Sequence, residues 1–413
     1  MLYAIIILFL FLSLTIILKK RKKSIYYLPV ILLLIEISRN ITDKFLMIEE
    51  GYNGVIFIVL SLFVVFNLKL VKDKLYFVLV LIIFISTLFY LTRLNYNISF
   101  YNNLSRLGSL VLIMALVPIS YINRFRISRK EIQCILTRLF IIFFTYTIFA
   151  SLAKFGPNHY HTDIIYGFKF DQWYIGALLI VTIPFYKING KRTILEIFFF
   201  FLCLLLIMLV LRRTVWLIIF LSFILIAFIL RKGIFKNKYF VKLLGVGGLL
   251  LLIIIPFFYF NAWGYRAGRA IDSDLFSEEY YEKEARFTEL DNTIYILYNK
   301  KQLMLGTGFL FDEKGRYNYP NPNRPMHGTY TRIFFGAGSI GLCLYLYFLL
   351  NILYHLYDKN ITKDYFKTAI FSSFAVYLIV LVGGASGSGT GAPYVATLFI
   401  LSGYLINNVT TRS

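Results

Sequence analysis

Long apolar runs separated by short basic segments are the feature that most limits how this chain can fold. Residues 193–230 form one such stretch, in which Arg212 and Arg213 are the only basic residues. About 20 apolar residues are enough to cross a bilayer as a helix, and a soluble domain rarely contains apolar runs this long. The pattern predicts an all-α, polytopic transmembrane helix bundle.

Thirteen apolar runs are candidate membrane spans. They are 2–18, 25–38, 54–68, 75–91, 109–123, 135–153, 173–186, 193–210, 215–230, 239–260, 329–356, 368–385 and 393–406. Several of them are shorter than the roughly 20 residues that a spanning helix needs, so we expect about twelve or thirteen crossings.

The placement of positive charge predicts the orientation of the bundle. The net charge of +22 would suit nucleic acid only if the basic residues gathered on one exposed face. Instead, alternate loops carry three to five basic residues each, namely 19–24, 69–74, 124–130, 187–192, 231–238 and 357–367. The short loops between them (39–53, 92–108, 154–172 and 211–214) carry two each. Because Lys and Arg collect on the cytoplasmic side, we expect a bilayer partner and no nucleic acid.

The same alternation divides the chain into three parts. Residues 1–260 are an N-terminal transmembrane bundle, 261–328 a large loop domain on the outer side, and 329–413 the C-terminal transmembrane helices. Within the loop, residues 277–305 have a helix-forming composition. The three cysteines show no paired spacing, so the sequence predicts neither disulfides nor a metal site.

His327 lies directly before an apolar run, and the chain has only four histidines. If one continuous helix begins near it, the residues that share its face are Tyr330, Thr331, Phe334, Gly338, Gly341 and Tyr345. The two glycines would let another helix approach closely. Imidazole exchanges protons near neutral pH, which favours a general base. A hydrated histidine at the membrane interface fits the same spacing.

Three arginines suit a substrate that bears phosphate. Arg212 and Arg213 interrupt apolar sequence, where charge is costly and often marks a substrate path, and guanidinium groups fork onto phosphate oxygens. A tight turn whose side chains reach the lipid headgroups explains the pair equally well. Arg286 lies close to Glu284 and Glu289, and a surface ion pair is the ordinary explanation for it.

The order of these residues resembles the O-antigen ligase and polymerase superfamily, membrane glycosyltransferases that act on undecaprenyl-pyrophosphate-linked glycans. The similar motifs are an arginine turn (Arg213-Thr214), a loop arginine (Arg286), a glycine-rich segment (Gly306, Gly308 and Phe309) and a histidine motif (His327, Gly338 and Gly341). The resemblance covers roughly residues 170–345. Gly328 stands where the superfamily often has Asn or Ser, and Gly336 where it often has an acidic residue.

The resemblance implies a metal-independent, inverting transfer that needs no cofactor. It places the chain in a bacterial cytoplasmic (inner) membrane, with the active site on the periplasmic or outer side. His327 would be catalytic, and Arg213, Arg286 and Arg212 would bind pyrophosphate. Tyr330, Thr331, Gly338 and Gly341 would support the histidine. The implied partners are an undecaprenyl-pyrophosphate-linked glycan and a regulator of chain length.

Three activities remain open at the level of sequence. A polymerase joins lipid-linked repeat units to one another, and the departure at Gly328, directly after His327, favours it, because polymerases vary more in sequence. A ligase instead transfers the glycan to the lipid A core. A flippase or transporter for lipid-linked sugars is the alternative from another class, and it would need charged residues spread through several spans.

Overall fold

The structure is a computed structural model, and it describes most of the chain. The described residues are 2–46, 50–67, 73–91, 99–155, 166–168, 172–186, 194–209, 213–234, 285–308, 329–358, 361–380 and 392–406. These residues form thirteen α-helices. They are α1 (Leu2–Lys20), α2 (Leu28–Leu46), α3 (Glu50–Val65), α4 (Lys74–Leu91), α5 (Ser99–Asn123), α6 (Arg129–Leu152), α7 (Trp173–Tyr186), α8 (Ile194–Leu209), α9 (Arg213–Ile234), α10 (Ala285–Asn299), α11 (Thr329–Leu356), α12 (Tyr365–Val380) and α13 (Ala392–Leu405).

The helices confirm the predicted all-α class. Twelve of the thirteen predicted runs are helical, and the run 239–260 lies outside the described residues. Among the described helical segments, four are long and apolar enough to cross a membrane: Lys23–Ile41, Gly108–Arg126, Arg129–Leu152 and Thr329–Leu356. The number of crossings, the outer loop domain and the three-part division stay predictions, because much of 261–328 lies outside the described residues.

Helix α2 is longer than the sequence indicates. The predicted span ends at residue 38, but the helix continues to Leu46. Arg39, which was expected in the loop 39–53, therefore lies inside the helix and is only 3% exposed. The hydropathy of this stretch is lowered by Glu36, Arg39 and Asn40, all three of which are buried.

Small residues let helices α5 and α13 approach closely. A Cβ on Gly403 would overlap the carbonyl oxygen of Val117, and the Ser120 hydroxyl donates to the carbonyl of Ile400 at 2.7 Å. Glycine and serine at such contacts are typical of helix pairs that pack in lipid. The contact fixes the last described helix against the middle of the bundle.

Ion pairs gather three of the basic loops at one end of the bundle, which we call the basic end. Its three ion pairs are Lys23–Glu131 at 2.9 Å, Arg129–Asp364 at 2.7 Å and Lys367–Asp358 at 2.6 Å. The first joins loop 19–24 to Glu131, the residue after loop 124–130, the second joins loop 124–130 to loop 357–367, and the third lies within loop 357–367. The predicted alternation of the chain requires these loops to share one side, and their contacts agree with that requirement.

Candidate active site

Helix α11, which follows His327, is broken at Gly338. The backbone of Gly338 has φ 68° and ψ −169°, so two helical pieces, 329–337 and 339–356, meet at this residue. A positive φ of this kind is readily adopted only by glycine. The expectation of one continuous helix face that carries Tyr330, Thr331, Gly338 and Gly341 is therefore wrong, since the helix axis changes direction in its middle.

The two pieces of α11 fold towards each other. In a straight helix, Tyr330 and Tyr345 would be separated by about 22 Å along the axis, at 1.5 Å per residue. Their ring centroids are 6.4 Å apart instead. The start of the first piece therefore lies beside the second piece, where the Tyr330 hydroxyl also donates to the Leu378 carbonyl of α12 at 2.7 Å.

Residues 302–308, which we call the clasp, satisfy the backbone groups that the break exposes. Four hydrogen bonds join the two segments: Thr307 N to Phe335 O at 2.8 Å, Gly308 N to Gly336 O at 2.8 Å, Ser339 N to Leu303 O at 2.9 Å and Ile340 N to Met304 O at 3.2 Å. Helix ends carry unpaired N–H and C=O groups, and these are costly in an apolar environment. The clasp supplies partners for the end of one piece and for the beginning of the next.

Where the clasp packs against the break in α11, the two glycines in contact leave no room for a side chain. A Cβ on Gly338 would overlap the carbonyl of Met304, and a Cβ on Gly306 would lie 2.5 Å from the Gly338 nitrogen. A Cβ on Gly341 would overlap the Ala337 side chain, across the bend itself. The glycines of α11 were expected to admit another helix, but at Gly338 they admit a loop.

Helix α10 attaches to the first piece of α11. The predicted helical segment 277–305 is helical from Ala285 to Asn299 and then continues into the clasp. Leu297 and Phe335 are both fully buried and form a small cluster between the two helices. Arg286 is the second residue of α10, and its side chain lies outside the described part of the structure.

A row of five tyrosines connects the start of α9 with the start of α11. The tyrosine row consists, in spatial order, of Tyr174, Tyr394, Tyr377, Tyr345 and Tyr330. Successive contacts are ring pairs at 5.7 Å and 5.8 Å, a side-chain hydrogen bond between Tyr377 and Tyr345, and a ring pair at 6.4 Å. The Tyr174 hydroxyl also shares a hydrogen bond with the Thr214 hydroxyl of α9 at 3.1 Å.

The tyrosine row lies at the end of the bundle opposite the basic end. Tyr174 and Tyr394 are in the first turns of α7 and α13, whereas Tyr377 is in the last turn of α12, whose other end holds Lys367. Aromatic pairs of this geometry contribute about 0.5–1.5 kcal/mol each beyond simple burial. The row therefore ties four helices together at one level.

The main predicted site residues lie next to the two ends of this row in the chain. Arg213 opens α9 and directly precedes Thr214, although its side chain lies outside the described residues. Arg212 and His327 also lie outside them, but Thr329, which follows His327 by two positions, is buried.

A second polar cluster, which we call the polar network, was not predicted from the sequence. It consists of Glu36, Arg39 and Asn40 on α2 and Gln172 just before α7, each no more than 3% exposed. The Gln172 amide donates to a Glu36 carboxylate oxygen and accepts from the Asn40 amide at 2.8 Å. An Arg39 guanidinium nitrogen lies 3.7 Å from the same Glu36 oxygen. The available signal was the cluster of polar residues within an otherwise apolar run.

The described part of the chain contains a row of mostly buried tyrosines and, close to one end of it, a buried ion pair. Within that part, no three His, Cys, Asp or Glu side chains come together in an arrangement that could hold a metal ion. Thr331, the remaining residue expected to support the histidine, is half-buried in the first piece of α11.

Comparisons of the chain with protein-family models, with curated proteins and with solved structures found no match. The resemblance to the O-antigen ligase and polymerase superfamily therefore rests on the order and spacing of its motif residues, and membership stays a prediction.

Proposed function

We propose that the chain is a membrane glycosyltransferase that polymerises a surface polysaccharide. It joins undecaprenyl-pyrophosphate-linked repeat units to one another on the outer face of a bacterial cytoplasmic membrane. The donor is the growing glycan on its lipid pyrophosphate, and the acceptor is a sugar hydroxyl of a second lipid-linked unit. The basic end faces the cytoplasm, which places the tyrosine row towards the outer face.

The observation that carries this proposal is the tyrosine row itself. It links the hydroxyl of Thr214, the neighbour of Arg213, to Tyr330, which follows His327 by three positions. A transfer of this kind needs a base at the acceptor and positive charge at the leaving pyrophosphate within one site. The row brings the chain positions that neighbour both groups to one end of the bundle.

The proposed reaction follows from these roles. The acceptor oxygen attacks the anomeric carbon of the donor glycan while His327 takes the proton of the attacking hydroxyl. The bond between the anomeric carbon and the pyrophosphate oxygen breaks on the opposite face, which inverts the configuration. Arg213 and Arg286, with Arg212, stabilise the negative charge on the departing lipid pyrophosphate.

Buried charge on α2 bears on the transporter alternative, which would need charged residues through several spans. Glu36 and Arg39 add a buried ion pair that the sequence analysis had not counted. Their partner Gln172, however, lies two positions before the row residue Tyr174 in the chain. This polar network thus clusters at the end of the bundle where the tyrosine row lies. A cluster at one end suits a reaction site at one membrane face better than a path through the membrane.

The test is a reconstituted assay with a single substrate. Purified protein in liposomes receives only the undecaprenyl-pyrophosphate repeat unit, and the products are separated by length. A polymerase should give a ladder of longer glycans on the same lipid. A ligase should leave the repeat unit unchanged until its lipid A core acceptor is added. A flippase should move the repeat unit across the bilayer without lengthening it, and either of these results would overturn the proposal.

A further inference from the structure

In the polar network, both polar atoms of the Gln172 side chain are hydrogen-bonded to residues of α2. Glu36 and Asn40 are four residues apart on α2, so they share a face of the helix. The carboxylate of Glu36 accepts from the Gln172 amide nitrogen, and the Asn40 amide donates to the Gln172 oxygen at 2.8 Å. Since both polar atoms of the Gln172 amide are engaged, its orientation is fixed relative to α2.

The polar network is an energetically costly way to pack α2 against the start of α7. Glu36 is 0% and Arg39 3% exposed, and both lie in a segment apolar enough to cross a membrane. Taking charges out of water is costly, and well-packed apolar residues often replace buried ion pairs without loss of stability. A buried charged cluster in such a segment indicates a role beyond holding the fold together.

The position of Gln172 suggests that role. Gln172 immediately precedes α7, and two positions further on the hydroxyl of Tyr174 shares its 3.1 Å hydrogen bond with Thr214. Thr214 is joined by one peptide bond to Arg213, the first residue of α9. A short path of hydrogen bonds and covalent bonds therefore runs from α2 through the first turn of α7 to the start of α9.

We propose that the polar network is a positioning device for Arg213: Glu36 and Asn40 fix Gln172, and so the first turn of α7, and Tyr174 transmits that placement to Thr214 and the arginine. The inference rests on the proposed function, because it treats Arg213 as the group that meets the leaving pyrophosphate. A misplacement of about 1 Å at a reacting centre can cost on the order of a hundredfold in rate. The network acts through the arginine and does not touch the substrate.

A swap of the two polar groups tests the arrangement. In Gln172→Glu, two carboxylates face each other at residues 36 and 172, and transfer should fall by roughly tenfold to a hundredfold. In the double variant Glu36→Gln/Gln172→Glu, the new amide at residue 36 donates to the new carboxylate, which still accepts from Asn40. Both hydrogen bonds and the net charge of the polar network are retained, so activity should return to within a few-fold of the wild type.

The kinetic parameters separate positioning from simple loss of fold. Rates are expressed per monodisperse, folded protein, and the loss in Gln172→Glu should appear in kcat more than in KM, because Arg213 acts on charge that develops during the reaction. The matched control is Asp358→Asn, which removes the carboxylate partner of buried Lys367 at the basic end. That variant should lose stability but keep its turnover. Equal turnover per folded protein in both variants would overturn the proposal.

A double-mutant cycle tests the path through Tyr174. If the network acts through this hydroxyl, Gln172→Glu should have little further effect on kcat once Tyr174→Phe has broken the bond to Thr214. Additive losses would mean that the network does not reach Arg213 by this path.

A labelling experiment tests the positioning of residue 213 without relying on enzyme activity. Arg213→Cys is placed in a background in which the exposed Cys134 and Cys343 are replaced by serine, and a charged thiol reagent reports on residue 213. Gln172→Glu should change the labelling rate by about threefold or more, and the swap should restore it. If the wild type makes no glycan but the labelling rate responds, the proposed function fails and the positioning stands. An unchanged labelling rate overturns the positioning alone.

Discussion

Gly306 and Gly338 lie backbone to backbone, and neither has room for a side chain. Both residues also have a positive φ, of 71° and 68° respectively. At this contact the clasp enters the bend of α11. The four hydrogen bonds between the clasp and α11 depend on this close approach. The bend in the helix that follows His327 therefore depends on glycine at both residue 306 and residue 338.

Substitution of the bend glycine should be destabilising. Gly338→Ala adds a Cβ that overlaps the Met304 carbonyl, and it should lower the free energy of unfolding by about 1–3 kcal/mol from overpacking. The control is Gly54→Ala in α3, where nothing lies within 4 Å of the added Cβ. That variant should gain about 0.5–1 kcal/mol from helix propensity. Thermal unfolding in detergent measures both, and equal stabilities would show that the bend is not tight.

The positions of most helices could be predicted from hydropathy, but the break in α11 and the end of α2 could not. The run 329–356 matches the bounds of α11, yet apolar composition says nothing of the break, which depends on contact with residues 302–308. Helix α2 was underestimated for a related reason. Glu36 and Asn40 lower its hydropathy, and their partner Gln172 lies more than 130 positions away. A contact between residues so distant in the chain leaves no periodic signal in either segment.

One hydroxyl of the tyrosine row should be dispensable for stability. The Tyr394 side chain is buried, and its hydroxyl has no hydrogen-bond partner among the described residues, so Tyr394→Phe should leave the free energy of unfolding unchanged or slightly higher. Tyr26→Phe is the matched control, because that buried hydroxyl donates to the Ser120 carbonyl at 2.8 Å. It should cost about 1 kcal/mol. Chemical denaturation of the two variants side by side gives the comparison. A larger loss in Tyr394→Phe would mean that its hydroxyl has a partner.

His327→Ala should abolish glycan transfer while the protein remains folded and inserted, because the change removes the group that we propose takes the acceptor proton. His355→Ala is the matched control, since His355 lies on the same helix near the basic end. It should keep the turnover of the wild type. Product formation is measured on the lipid-linked repeat unit, with thermal stability recorded for each variant. Wild-type turnover by His327→Ala would remove this residue from the mechanism.

Arginine at residues 213 and 286 should not be replaceable by lysine. An ammonium group cannot fork onto two pyrophosphate oxygens, so Arg213→Lys and Arg286→Lys should each lose roughly a hundredfold or more in kcat. Arg212→Lys should be milder if only one of the adjacent pair faces the substrate. Arg126→Lys, at the exposed basic end, should have no effect. Normal turnover by both the residue 213 and residue 286 variants would make those arginines structural.

Synthesis from the N-terminus gives the contacts of this protein an order in time. Clasp residues 303–308 leave the ribosome before residues 335–340, so the interrupted backbone of α11 finds its partners as soon as it is made. The tyrosine row is assembled late, since Tyr394 belongs to the last described helix and is made 180 positions after Thr214. At about 5–20 residues per second, Tyr394 is synthesised roughly ten to forty seconds after Thr214. A ribosome that stalls before α13 should therefore leave a chain in which the tyrosine row lacks Tyr394.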